Sequence, residues 1–185
     1  YGPDATRWYM ISNANPWDNL KFDVDGIDEV KRKFFGTLYN TYAFFTLYAN
    51  IDRFNNSEPA IPHEQRPEID RWILSELYTL IEKVDAHYAN YEPTKAAREI
   101  SEFTQELLSN WYVRLSRRRF WKGAYEADKI SAYQTLFTCM LTLSKLGAPI
   151  APFFMDRLYL DLVTPTKLEP YDSVHLSEFP NSNAQ

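Results

Sequence analysis

Glycine, cysteine and histidine are all scarce in these 185 residues, at five, one and three copies. So few glycines argue against a sandwich of many strands joined by Gly-rich turns, and the long periodic segments favour helices with short connections. The single cysteine, Cys139, excludes an internal disulfide and a cysteine-based zinc site, and its place in the apolar run "TLFTCMLTLSKLGAP" predicts a buried thiol. His63, His87 and His175 are far apart and show no metal-ligand spacing. No Gly-rich phosphate loop, Ser/His/Asp context or cysteine nucleophile motif is present, so no catalytic residue is expected in this chain. An uninterrupted apolar run long enough to span a bilayer and a signal-peptide pattern are both lacking, which makes a cytoplasmic chain without a membrane partner the expectation. The chain opens on "YGPDATRWYM", as if a helix were already under way, and a piece of something longer is expected.

What is abundant is apolar and aromatic surface, 45% and 16% of residues, enough for one compact core. Residues 1–11 carry a short helical pattern in which Pro3 suits the first turn and Asp4 the helix dipole. "SNANPWDNLKFDVDG" reads as an irregular connection. A second helix is predicted from Asp25 to about Phe54, with Phe34, Phe35, Leu38, Tyr42, Phe45, Tyr48 and Ala49 on its buried face. Pro67 at the first helical position opens a third, striped by Ile69, Trp72, Ile73, Leu77, Leu80, Ile81 and Val84. Pro93 opens a fourth, whose apolar positions are Ile100, Phe103, Leu107, Trp111 and Leu115, and Gly123 stands where a helix C-terminal glycine belongs. A fifth covers about 128–145, breaks at "GAPIAPF" and continues over 153–163. The prediction is an all-α antiparallel bundle of four to five helices over residues 25–163, after a connecting segment 1–24 and before a polar, extended tail 164–185.

One segment departs from the overall charge. "NWYVRLSRRRFWKG", Asn110 to Gly123, holds Arg114, Arg117, Arg118, Arg119 and Lys122 and no acid, in a chain of net charge -5; the rest therefore carries -5 - 5 = -10. At about 100° per residue, Arg114 and Arg118 fall on the line of the apolar stripe, while Arg117 and Arg119 project to opposite flanks. Arg114 and Arg118 are accordingly expected in structural ion pairs, with Asp70 and Asp156 as candidate partners, because an unpaired buried guanidinium is expensive. Helix-end electrostatics accounts for one or two cations at about 0.3–1 kcal/mol each, not for a cluster this dense. Arg117, Arg119 and Lys122 either suit phosphate contacts, with Phe120 or Trp121 offering a face for an unstacked base, or form a solvated helix end; residue type alone favours neither. A helical module that docks an acidic protein partner is the alternative.

The sequences "RPEIDRWILSELYTLI", "NWYVRLSRRRFW" and "LGAPIAPFFMDRLYLDL", in that order, resemble the anticodon-binding domain of class I aminoacyl-tRNA synthetases, with the isoleucyl enzymes the best match. "YGPDATRWYM" resembles the segment just downstream of that family's KMSKS loop, and "SVHLSEFP" its exit from the helical domain. The likeness covers essentially the whole chain; valyl-, leucyl- and methionyl-tRNA synthetases share the bundle. The resemblance implies recognition of a tRNA anticodon stem-loop, for the isoleucyl family an isoleucine tRNA, with Arg117, Arg119 and Lys122 at phosphates and Phe120 or Trp121 at the loop. It further implies that the complete enzyme attaches isoleucine to its tRNA using ATP and magnesium, that residues 1–24 are the end of the catalytic domain and its connection to the bundle, with residues 1–11 supporting that junction, and that the rest of the catalytic domain and the editing domain are absent here. Neither HIGH nor KMSKS occurs in the chain, so the resemblance implies no cofactor for this part alone.

Overall fold

The computed structural model describes residues 1–122 and 124–181; the glycine expected to end a helix at position 123 lies outside them. Among the described residues the chain is helical with no strand. The helices are α1 (Pro3–Asn13), α2 (Val24–Val30), α3 (Gly36–Asp52), α4 (Glu68–Ala89), α5 (Pro93–Glu102), α6 (Arg114–Trp121), α7 (Ala127–Gly147) and α8 (Pro152–Thr166). Two of the connections are themselves helical. A π-helical turn, Lys31–Phe35, runs α2 into α3, and a longer π-helical segment, Phe103–Val113, runs α5 into α6. The result is six continuous rods.

Local chemistry sets the ends. Asp23 caps α2 by accepting the Asp25 N–H at 3.0 Å, two residues before the expected start. Prolines begin α1, α5 and α8, where a missing N–H costs nothing. Arg53 ends α3 and Lys167 ends α8, both in the left-handed region at φ 59° and 52°. The tail is less extended than expected: α8 runs three residues past Val163, and a 3-10 turn at Val174–Leu176 seats Val174 in the core.

Residues 1–13 belong to the core as fully as the bundle does. Trp8 is buried, stacks on Phe34 at 4.1 Å and donates its indole N–H to Ser101 at 3.0 Å. Thr94 donates to the carbonyls of Ile11 and Ala14, and Arg98 to those of Ser12 and Asn13, so α5 receives the end of α1. Gly26 allows the close approach of α2, because a Cβ there would run into the Tyr9 ring.

Candidate nucleic-acid interface

The end of the bundle where α3 and α6 finish and α4 and α7 begin carries most of its buried ionic chemistry. Asp70, in the first turn of α4, is fully buried, and Arg119 grips its carboxylate with two parallel bonds, 2.6 and 2.8 Å long. Tyr112 and Ser131 donate their hydroxyls to the same carboxylate, at 2.8 and 2.5 Å. Arg119 also reaches the Asp128 carboxylate at 3.0 Å and its carbonyl at 2.8 Å. Burial works against the guanidinium charge, and the Asp70 hydrogen bonds and charge outweigh it, holding the arginine above its ordinary range. Burial first, then the Asp70 charge, pushes the Tyr112 phenol up.

Beside this network Lys129 pairs with Asp52 at 2.7 Å, and Tyr133 donates to the same carboxylate at 2.6 Å. The Tyr133 ring meets Phe54, Phe45 and Phe120, and Phe120 in turn meets Phe44. This end is therefore an aromatic and ionic platform.

These contacts correct several sequence expectations. Asp70 is held by Arg119, while Arg114 and Arg118 are exposed and pair with nothing among the described residues. Asp156 pairs with no arginine either; it accepts from the Ser173 hydroxyl and the Val174 N–H, which ties the tail to α8. Arg119 is occupied by two aspartates rather than free for a phosphate, and Phe120 is buried and cannot offer a face to a base. The physical reason is the π-helical segment. Ile100, Thr104, Leu108, Tyr112, Ser116 and Phe120, every fourth residue, are all buried, so five turns take 20 residues; at 3.6 residues per turn they would take about 18. The core line thus lands on Phe120 instead of Arg118, and Trp111 and Leu115, expected inside, are 58% and 59% exposed.

With Phe120 pointing inward, Arg117, Trp121, Arg114 and Arg118 lie at about 60°, 100°, 120° and 160° around α6, and Arg119 lies about 100° the other way. Three arginines and a tryptophan share one outward arc, and Lys122 follows it. None of these five side chains makes a hydrogen bond, ion pair or ring contact among the described residues, and Trp121 is 60% exposed. Sequence reasoning missed Tyr112, Ser131 and Asp128. The spacing of four from Ile100 to Phe120 was the available signal, weakened by the polar Thr104 and Ser116 within it.

Residues 70–185 match the sequence model of the family described as "Anticodon-binding domain of tRNA ligase". The chain belongs to this family. It is also 64% identical over 180 residues to the isoleucine–tRNA ligase of Bacteroides thetaiotaomicron, covering 97% of this chain and 16% of that protein. It is 63% identical to the isoleucine–tRNA ligase of Cytophaga hutchinsonii (99% of this chain, 16% of that protein) and 51% identical to that of Dehalococcoides mccartyi (97% and 18%). The chain thus spans about 16% of the length of the Bacteroides and Cytophaga relatives. Family membership gives the platform a context, since the matched region contains α6 and both partners of Arg119.

Proposed function

We propose that this chain binds the anticodon stem-loop of an isoleucine tRNA, within a longer isoleucine–tRNA ligase. The observation that carries the reading is the outward arc of Arg114, Arg117, Arg118 and Lys122 around an exposed Trp121, in a chain that is otherwise acidic. Unpaired guanidinium groups give bidentate phosphate contacts, and an exposed indole offers a face to an unstacked loop base. Phosphate contacts set register and base contacts supply identity. Arg117, Trp121 and Lys122 are the residues assigned to the RNA, joined by Arg114 and Arg118. The names of the relatives support isoleucine as the amino acid.

ATP-dependent attachment of isoleucine, with magnesium, is assigned to parts of the longer protein outside this chain, along with editing. Among the described residues no group of three or more His, Cys, Asp or Glu side chains could hold a metal ion. In this reading α1 supports the junction with the catalytic part. A translation enzyme of this kind works in the cytoplasm, and among the described residues no helix is long and apolar enough to cross a membrane.

The test is binding of this chain to an isoleucine tRNA and to the same tRNA with its anticodon replaced, across salt. Preference for the native anticodon, with a log–log salt slope that flattens by about 0.7–0.9 for each of Arg117→Ala and Lys122→Ala, is the expected result. Unchanged affinity in Arg117→Ala, Lys122→Ala and Trp121→Ala together would remove the assignment.

A further inference from the structure

The π-helical segment does more than move Phe120 into the core. Trp111 and Leu115, four residues apart and therefore on one side of the rod, stand 58% and 59% exposed, with Arg118 one turn further on. Arg114 lies between Trp111 and Trp121 in sequence, and neither Trp111 nor Leu115 has a partner side chain in the hydrogen-bond or ring contacts of the described residues. The apolar row runs into Arg114, Arg117 and Arg118 on its C-terminal side, Asn110–Gly123 contains no acid, and the nearest acid before it, Glu106, accepts from Asn110 at 3.1 Å. An apolar protein-binding face is depleted of charge at its centre, whereas exposed apolar side chains followed along the rod by free guanidinium groups are the chemistry of a stacking platform on a polyanion.

Resting on the RNA reading above, we propose that Trp111, with Leu115 and Arg118, forms a second contact surface for unpaired RNA nucleotides. It lies at most about 15 Å along the rod from Trp121, ten residues at 1.5 Å each. The two indoles then contact different nucleotides of one strand, and Arg114 and Arg118 meet the phosphates between them. The wider helical turn is what creates the second platform. A regular α-helix from Ile100 would turn Trp111 into the bundle.

The experiment measures affinity of the chain for an isoleucine-tRNA anticodon stem-loop and for a duplex of the same stem without a loop. Trp111→Ala, Trp111→Phe, Trp121→Ala and Arg117→Ala are compared with the parent, each after its melting curve is shown to match. The expected result is loop binding weakened about fivefold or more by Trp111→Ala, largely restored in Trp111→Phe, with duplex binding unaltered. Parental loop affinity in Trp111→Ala, while Trp121→Ala and Arg117→Ala bind weakly, would overturn this inference, leave the RNA reading intact and return the row to a protein partner. Equal losses on loop and duplex would also overturn it, since no unpaired base would be involved. Parental affinity in every variant would overturn the RNA reading itself.

Discussion

Arg119 and Arg118 are neighbours of the same residue type with opposite roles, and the difference is what each side chain meets. Arg119 is clamped between Asp70 and Asp128, and Asp70 has no access to water. Removing the guanidinium strands a buried carboxylate, so Arg119→Ala is expected to cost about 3–5 kcal/mol. Arg118→Ala touches nothing and is expected to stay within about 0.5 kcal/mol. Denaturant titration of both variants checks the pair, and equal midpoints would contradict the assignment. Asp52 supplies a pH test at the same scale. Burial works to raise its pKa, but the hydrogen bonds from Lys129 and Tyr133 and the Lys129 charge lower it further still. A carboxylate lowered in the folded state contributes stability that is complete above its unfolded value, near 3.9, and is lost as pH falls through the folded value. The melting-temperature gap between the parent and Lys129→Met is therefore expected to be wide at pH 6 and to narrow below about pH 4. A gap that does not change with pH would show that the pair is not what the mutation removes.

At the scale of elements, the contact of α1 with α2 depends on a residue with no side chain. Gly26→Ala would gain helix propensity of about 1 kcal/mol, but the new methyl meets the buried Tyr9 ring. Overpacking of this kind costs about 1–3 kcal/mol, so net destabilisation is expected, and thermal melting reads its sign. A stabilised variant would mean that Tyr9 moves aside freely. The rod formed by α5, the π-helical segment and α6 shows why its inner face was misread from sequence. Periodicity reasoning assumes 3.6 residues per turn, and a change of helical width within one rod rotates every later position. Helix starts were more legible, because Pro3, Pro93 and Pro152 act locally.

Across the whole molecule, the first helix and the bundle share one aromatic cluster, from Trp8 and Phe34 through Phe35 to Phe154 on α8. One cooperative unfolding transition is expected to include α1. Trp8→Ala, at about 3–5 kcal/mol, should therefore shift that transition as a unit without splitting it. Calorimetry showing a separate low-temperature transition would detach α1 from the core. The tail takes part as well, through Val174, the Asp156 bonds and the Phe179–Tyr88 ring pair.

The all-α class, the helix starts marked by proline, the buried Cys139 and the concentration of positive charge before position 123 follow from the sequence alone, because each depends on local propensity, apolar content or composition. The sequence also carried the family likeness, through long ordered stretches of residues that needed no fold to be recognised. Which arginine pairs with Asp70, which aromatic of Phe120 and Trp121 faces solvent, and how Asp156 is used were decided only by the tertiary structure. Each depends on the rotation of a rod relative to its neighbours, and a π-helical segment changes that rotation without leaving a local mark in the residues that follow it.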